Sequence, residues 1–237
     1  MHNQIVMREA ASERLSPGLL NSRRYYLRKL GEALNEFINQ YGIPLKKGRV
    51  LDFGCGNSPY QSLFDQDQTY MRADLSEEGQ PDIIIDAEGA LPVAGKQFDL
   101  VLSTQVLEHV TSPQLYLHEA NRVLEQDGLL ILSTHGIWIY HPDPTDFWRW
   151  TCDGLKKIVS EAGFEIVEFK GIMGRSAMGL QLFQDGIILK LPSYLRFLIA
   201  APMQIMISLA DKINSQAARD RDACTFVLVA KKTREVA

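Results

Sequence analysis

The stretch RVLDFGCGNSPY, residues 49–60, runs an apolar segment through Asp52 into two glycines, Gly54 and Gly56, separated only by Cys55. Glycines at such a turn reach backbone angles closed to other residues and let a ligand come against the main chain. Asp74 follows about twenty residues later, with Leu75 beside it, where a carboxylate can accept hydrogen bonds from ribose hydroxyls. Together these residues describe a nucleoside site. A second group lies in THGIWIYHPDPTDFWRWT, residues 134–151, which holds all three tryptophans of the chain, Trp138, Trp148 and Trp150, with Tyr140, Phe147, His135, His141, Asp143 and Asp146. Flat aromatic faces beside hydrogen-bonding groups suit a ligand with both apolar and polar surface, such as a sugar or a ring amine. The plainer alternative is that the tryptophans close a core while Pro142 and Pro144 shape the loop. His135, His141, Asp143 and Asp146 lack a metal-ligand spacing, so no metal is expected.

Those groups need elements to hold them, and the hydrophobic periodicity supplies an alternation of helix and strand. Asn21–Tyr41 reads as an amphipathic helix, with Gly42 and Pro44 as its stop. Strands are expected at Arg49–Phe53, Tyr70–Leu75, Asp82–Asp86, Phe98–Thr104, Leu129–Thr134, Phe164–Lys170 and Thr225–Lys231. Ser58-Pro59-x-Gln61 carries an N-cap, a first-turn proline and a capping-box partner, which predicts a helix aiming its positive end at the glycine turn. Further helices are expected from Ser112 to a stop at Gly128 and over Thr151–Ala162. Apolar strands separated by helices imply an α/β fold, a Rossmann-like, doubly wound, mostly parallel seven-stranded sheet, with a helical insertion before the last strand. Four segments follow: an N-terminal helical segment (1–46), the α/β core (47–170), the insertion (171–223) and a final strand and tail (224–237).

A dinucleotide site wants a third glycine where the helix packs on the strand, but here that region reads Asn57, Ser58, Pro59. The stretch VLDFGCG resembles motif I of the class I S-adenosylmethionine-dependent methyltransferases. The likeness continues through DAEGALPVAGKQFDLVLSTQVLEHV (86–110) and LHEANRVLEQDGLLILS (117–133), which are similar to the type-11 branch, over about 48–170 in order. The resemblance implies S-adenosyl-L-methionine as cofactor. It places Asp52, Gly54, Cys55 and Gly56 at the amino-acid end, Asp74 and Leu75 at the ribose, and Asp86 and Ala87 at the adenine. Ser103 and Gln105 would flank the sulfonium. Glu108 and His109 read as structural. If the acceptor is a hydroxyl, a base adds to the rate, and the aromatic segment supplies His141 first and His135 second. Trp138, Tyr140, Asp146 and Trp148 are the expected acceptor contacts.

Composition limits the rest. The chain has 237 residues, 46% of them hydrophobic, and 25 basic against 29 acidic residues, for a net charge of −4. That size supports one large core, and the acidic balance argues against nucleic acid as partner. Cys55, Cys152 and Cys224 form no CxxC pair, and no export signal opens the sequence, so a cytoplasmic setting is expected. In the insertion, LPSYLRFLIAAPMQIMISLADKI (191–213) carries a narrow polar stripe of Arg196, Gln204, Ser208 and Asp211 on an apolar cylinder, with Pro202 as a kink. It is too short and interrupted to span a bilayer. It reads as a lid, a homodimer contact or a membrane-surface helix; the first two are preferred because the stripe lacks a row of lysines and arginines. The expected activity is methylation of oxygen or nitrogen on a small-molecule acceptor, sugar-like or a secondary metabolite. The rivals are a nicotinamide-dependent oxidoreductase and a non-catalytic cofactor-binding partner subunit.

Overall fold

The computed structural model describes residues 13–86, 89–142, 145–188 and 190–233; Ala87 and Asp143 lie outside them. Seven strands among these residues form one sheet: β1 (Arg49–Phe53), β2 (Thr69–Asp74), β3 (Ile83–Ile84), β4 (Phe98–Thr104), β5 (Leu124–His135), β6 (Phe164–Gly174) and β7 (Ala223–Lys232). Their order is β3-β2-β1-β4-β5-β7-β6. The first five strands run parallel, and β7 lies antiparallel between β5 and β6. Helices α1 (Arg24–Phe37), α2 (Pro113–Val123), α3 (Cys152–Glu161), α4 (Arg175–Ile188), α5 (Arg196–Asp211) and the short α6 (Gln216–Arg219) complete the fold.

The strands are apolar at consecutive positions because both faces of the sheet are covered. Leu51, Phe53, Val101, Leu130, Leu132 and Leu228 point to one side, where Tyr116, Leu117 and Ala120 of α2 and Leu155 and Val159 of α3 meet them. Val50, Leu100, Leu102, Ile131, Val227 and Val229 point to the other, against Tyr26, Leu30, Leu34 and Phe37 of α1 and, from the insertion, Met178 and Ile207. Side chains alternate along a strand, so neighbouring residues serve opposite cores. Thr151 caps α3, its hydroxyl accepting from the Gly154 amide.

Two local expectations fail. No helix starts at Ser58: that residue takes a left-handed φ of +45°, and only one 3₁₀ turn, Gln61–Leu63, precedes β2. Tyr60, Leu63 and Phe64 have helical spacing, yet they plug the core from a link that makes only one 3₁₀ turn. The glycine turn therefore meets no helix dipole. Likewise α2 ends at Val123, and the chain enters β5 at Leu124, five residues before the expected strand. Gly128 lies inside β5 at a register shift against β4, next to Asp127 with φ +65°, and ends no helix.

Candidate active site

The order of β1 and β4 on either side of the sheet's reversal point opens a crevice at their carboxyl ends, where open α/β sheets bind ligands. The turn after β1 forms its floor. Gly54 adopts φ +77°, and a Cβ there would stand 2.5 Å from Val106 Cγ2, so neither the backbone nor the packing admits a side chain. Gly56, at φ +49°, meets nothing within 4 Å of an added Cβ and faces open space. Its amide donates to Asp74 Oδ2 at 2.7 Å, while Asp74 Oδ1 accepts from Ser76 N at 3.0 Å. Asp74 thus clasps the glycine turn to the end of β2, and the exposed Leu75 stands beside it. This open cradle with an acidic rim fits the amino-acid and ribose parts of S-adenosylmethionine. Asp86 closes a small turn, its carboxylate accepting from Ala90 N at 2.8 Å, at the same edge.

Three expected cofactor contacts sit deeper than the sequence suggested. Asp52 is buried and accepts from Tyr70 OH at 2.7 Å; burial pushes its carboxyl up to about 6 despite that bond. The Cys55 thiol is buried and pushed up to about 12 by desolvation, and its amide is committed to Ala73 O, so it shapes the turn without chemistry. Ser103 is fully buried, its hydroxyl bonded to Tyr116 OH, which in turn donates to Phe53 O. Its side chain belongs to the core. Gln105 does reach the crevice: it takes φ +57° at the end of β4, accepts from Tyr26 OH at 3.1 Å and donates to Ser133 Oγ at 3.1 Å.

Beside this floor, the aromatic segment folds over the ends of β4 and β5. His135 ends β5, packs face to face with Trp138 at 5.0 Å between centroids, and places Nε2 3.4 Å from Glu108 Oε1. Its Nδ1 lies 3.1 Å from Thr225 Oγ1. Glu108 is wholly buried; Oε2 accepts from Thr134 Oγ1 at 2.8 Å and Oε1 makes no hydrogen bond. Burial raises the Glu108 carboxyl and drives His135 well below the usual imidazole range, so the histidine is neutral. His141 crosses His135 edge-on at 4.9 Å and His109 at 5.0 Å, with a buried Nδ1 that lacks a hydrogen bond. Partial burial, reinforced by His109, lowers its pKa as well. Tyr26 and Trp138, 4.8 Å apart, make the aromatic wall, and Arg23 lies over Trp138.

Asp146 corrects an expectation. Its side chain is 1% exposed and is gripped by Arg149 through two bonds of 2.6 Å, with His141 N donating to Oδ2 at 2.8 Å. The guanidinium holds its carboxyl well below the usual carboxylate range. Asp146 is a brace of the loop and offers nothing to an acceptor. Arg149 also donates to Ile139 O and Trp138 O, which fixes the loop's shape. Trp148 donates its indole N–H to Val110 O and keeps an exposed face, while Tyr140 is largely exposed at the rim.

Glu108, His135 and His141 offer ligand-type atoms within 4.8 Å of one another, a set that could hold a cation. The positive field of Arg149, which acts on all three, opposes one. Arg149 is the site residue that sequence reasoning missed. Glu108 reads from sequence as structural, and Tyr26 belongs to a leading basic turn, Arg23–Tyr26, that the sequence allows either to fold over the cofactor or to stay solvated.

A family model described as a methyltransferase domain matches residues 22–168. The ubiquinone biosynthesis O-methyltransferase of Dinoroseobacter shibae is 30% identical over 161 residues, covering 55% of this chain and 65% of that protein. The chain thus spans just under two thirds of this curated relative's length. Among solved structures, phosphoethanolamine N-methyltransferase 2 of Haemonchus contortus, in complex with phosphomonomethylethanolamine and S-adenosylhomocysteine, aligns at TM-score 0.55 with 16% identity, over 91% of this chain and 57% of that one. The [4+2]-cyclase SpnF aligns at TM-score 0.54 with 21% identity, over 85% and 80%. The structural likenesses show the fold, whereas the family model covers more than half of the 237 residues. The chain belongs to the methyltransferase-domain family.

Proposed function

We propose that this protein is an S-adenosyl-L-methionine-dependent methyltransferase acting on oxygen or nitrogen of a small-molecule acceptor, sugar-like or a secondary metabolite. The observation that carries the reading is the Asp74 clasp on the open Gly56 turn, set at the same sheet edge as the Glu108–His135–His141 cluster. Gly54, Gly56, Asp74, Leu75 and Asp86 hold the cofactor, with Gln105 between it and the acceptor; Asp52 and Cys55 support the turn from below. The bound cofactor supplies an electrophilic methyl on a sulfonium that carries its own leaving group.

The chain's task is then to hold an acceptor atom in line, which can contribute on the order of 7–11 kcal/mol to the barrier reduction. Trp148 presents a flat face for that purpose, with Tyr140 at the rim, whereas the expected contact Trp138 has His135 stacked on its ring and Arg23 over it. His141 is the proton acceptor for a hydroxyl: its lowered pKa leaves the ring neutral near pH 7 and the ring is partly open, while its buried Nδ1 lies 3.5 Å from Asp146 Oδ2. His135 is buried, with Nδ1 bonded to Thr225 Oγ1 and Nε2 3.4 Å from Glu108 Oε1, and it positions the loop together with Glu108. The free thiols Cys55, Cys152 and Cys224 support a cytoplasmic setting. Nothing favours a nicotinamide-dependent oxidoreductase, since Pro59 stands where a third glycine is needed, and no observation favours a partner subunit without turnover.

Titration calorimetry with S-adenosylhomocysteine tests this reading. The native protein binds, and Asp74→Ala weakens binding by roughly tenfold or more, because it removes a charged acceptor and frees the Gly56 turn. Equal affinity in the two proteins, both shown folded by circular dichroism, overturns the assignment.

A further inference from the structure

The α4–α5 hairpin is built inside out for a surface in water. Residues 200, 204, 207 and 211 form the buried stripe of α5, and this stripe carries Gln204 and Asp211. Gln204 accepts from Tyr25 N at 2.8 Å and donates to Ser22 O at 2.7 Å, while Asp211 accepts from Tyr25 OH at 2.8 Å and from Gly174 N at 2.7 Å. On α4, Gln181 and Gln184 turn inward to the same Ser22 carbonyl, and Asp185 to Gln181. The opposite face is apolar and uncovered. Leu198, Ile205, Met206 and Leu209 of α5 and Leu182 and Phe183 of α4 point outward, with Ile205 63% and Phe183 62% exposed. A helix packed on a water-soluble core shows the reverse arrangement. The polar stripe that argued in sequence against membrane contact is thus the inner face, and says nothing about the outer one.

Charge says what covers that face. Between Arg175 and Lys212 the only acidic residues are Asp185 and Asp211, and both are buried. The exposed charges there, at Arg175, Lys190, Arg196 and Lys212, are all cationic, on a chain whose net charge is −4, and of these Arg175 pairs with Asp222 at 3.8 Å. Two such hairpins stacked face to face would bring like charges together. An anionic lipid surface instead takes apolar side chains into its acyl boundary and meets the cations with its headgroups. No helix among the described residues is long and apolar enough to cross a membrane, which fits a hairpin lying in the interface. Its placement fits too: β6 ends at Gly174 opposite Ala223, two residues before Thr225 pairs with His135, so the hairpin springs from the sheet edge that carries the His135 cluster.

We propose that the outer face of the α4–α5 hairpin docks the protein on an anionic lipid bilayer. The proposal does not rest on the methyl-transfer reading. Flotation with phosphatidylglycerol–phosphatidylcholine vesicles, and with phosphatidylcholine vesicles alone, tests it on the full chain. The native protein floats with the anionic vesicles, and salt weakens the association. The double variant Ile205→Asp, Leu209→Asp and the triple variant Lys190→Glu, Arg196→Glu, Lys212→Glu each bind roughly tenfold more weakly or worse. All these positions are exposed, so both variants keep the native melting temperature and S-adenosylhomocysteine affinity. Failure to float with anionic vesicles overturns the proposal, as does equal flotation of native protein and both variants. So does a native dimer, seen by light scattering, that the double variant dissolves while vesicles are never bound.

Discussion

Asp52 sets a side chain needed near the cofactor turn against the cost of burying it. Its carboxyl is raised from 3.8 to about 6, so the ionised form is disfavoured in the folded protein. At about 1.4 kcal/mol per pKa unit, the penalty approaches about 3 kcal/mol. The penalty is absent below the ordinary carboxylate pKa, grows as pH rises toward about 6 and is constant above. Asp52→Asn keeps an acceptor for Tyr70 and removes the charge. It is therefore expected to stabilise the protein by about 1–3 kcal/mol at neutral pH, with the gain vanishing in acid, and to weaken S-adenosylhomocysteine binding. Thermal melts across pH check the first part; an unchanged or lower melting temperature at neutral pH refutes it. His141 gives a second prediction. Burial and His109 lower its pKa below 6.5, and only the neutral ring accepts a proton. O-methylation should rise with pH through that lowered pKa and stay flat across neutrality. His141→Ala should cost roughly 10²–10⁴-fold in kcat and abolish the acid limb. A pH–rate profile that keeps the limb in the alanine variant assigns the base elsewhere.

At the scale of elements, α1 is the joint between the sheet and the insertion. Tyr25 bonds α5 through its amide and hydroxyl, while its neighbour Tyr26 bonds Gln105 in the crevice. Gln204→Leu would match the apolar character of α5's outer face but would leave the Tyr25 amide without an acceptor. It should destabilise by about 1–3 kcal/mol, read from denaturant unfolding. A leucine variant as stable as the native protein would show that the inward polar network carries no such weight. Legibility at this scale followed length and burial. β1 and β4 fell where their apolar runs end, because a strand buried on both faces leaves a contiguous hydrophobic signature. The supposed helix at Ser58 had every capping residue in place, yet Tyr60 and Phe64 are drawn into the core and the link closes as one turn. Local capping chemistry cannot outweigh that tertiary anchoring.

At the scale of the molecule, the chain itself determined the α/β class, the sheet-edge position of the glycine turn and the family. Alternating apolar segments and a glycine turn with its acid twenty residues on are local patterns, and local patterns survive in one dimension. The tertiary structure decided what depends on distant segments meeting. It put Glu108 against His135 and His141, turned Asp146 into a brace for Arg149, and slid β7 between β5 and β6. It also decided which side of the insertion helix faces inward. A stripe of Gln204 and Asp211 reads from sequence as the wet face; here it is buried, because Ser22, Tyr25 and Gly174 supply the hydrogen bonds that water would otherwise provide. Periodicity marks two faces on a helix, and only the partners across the fold determine which of them meets solvent or lipid.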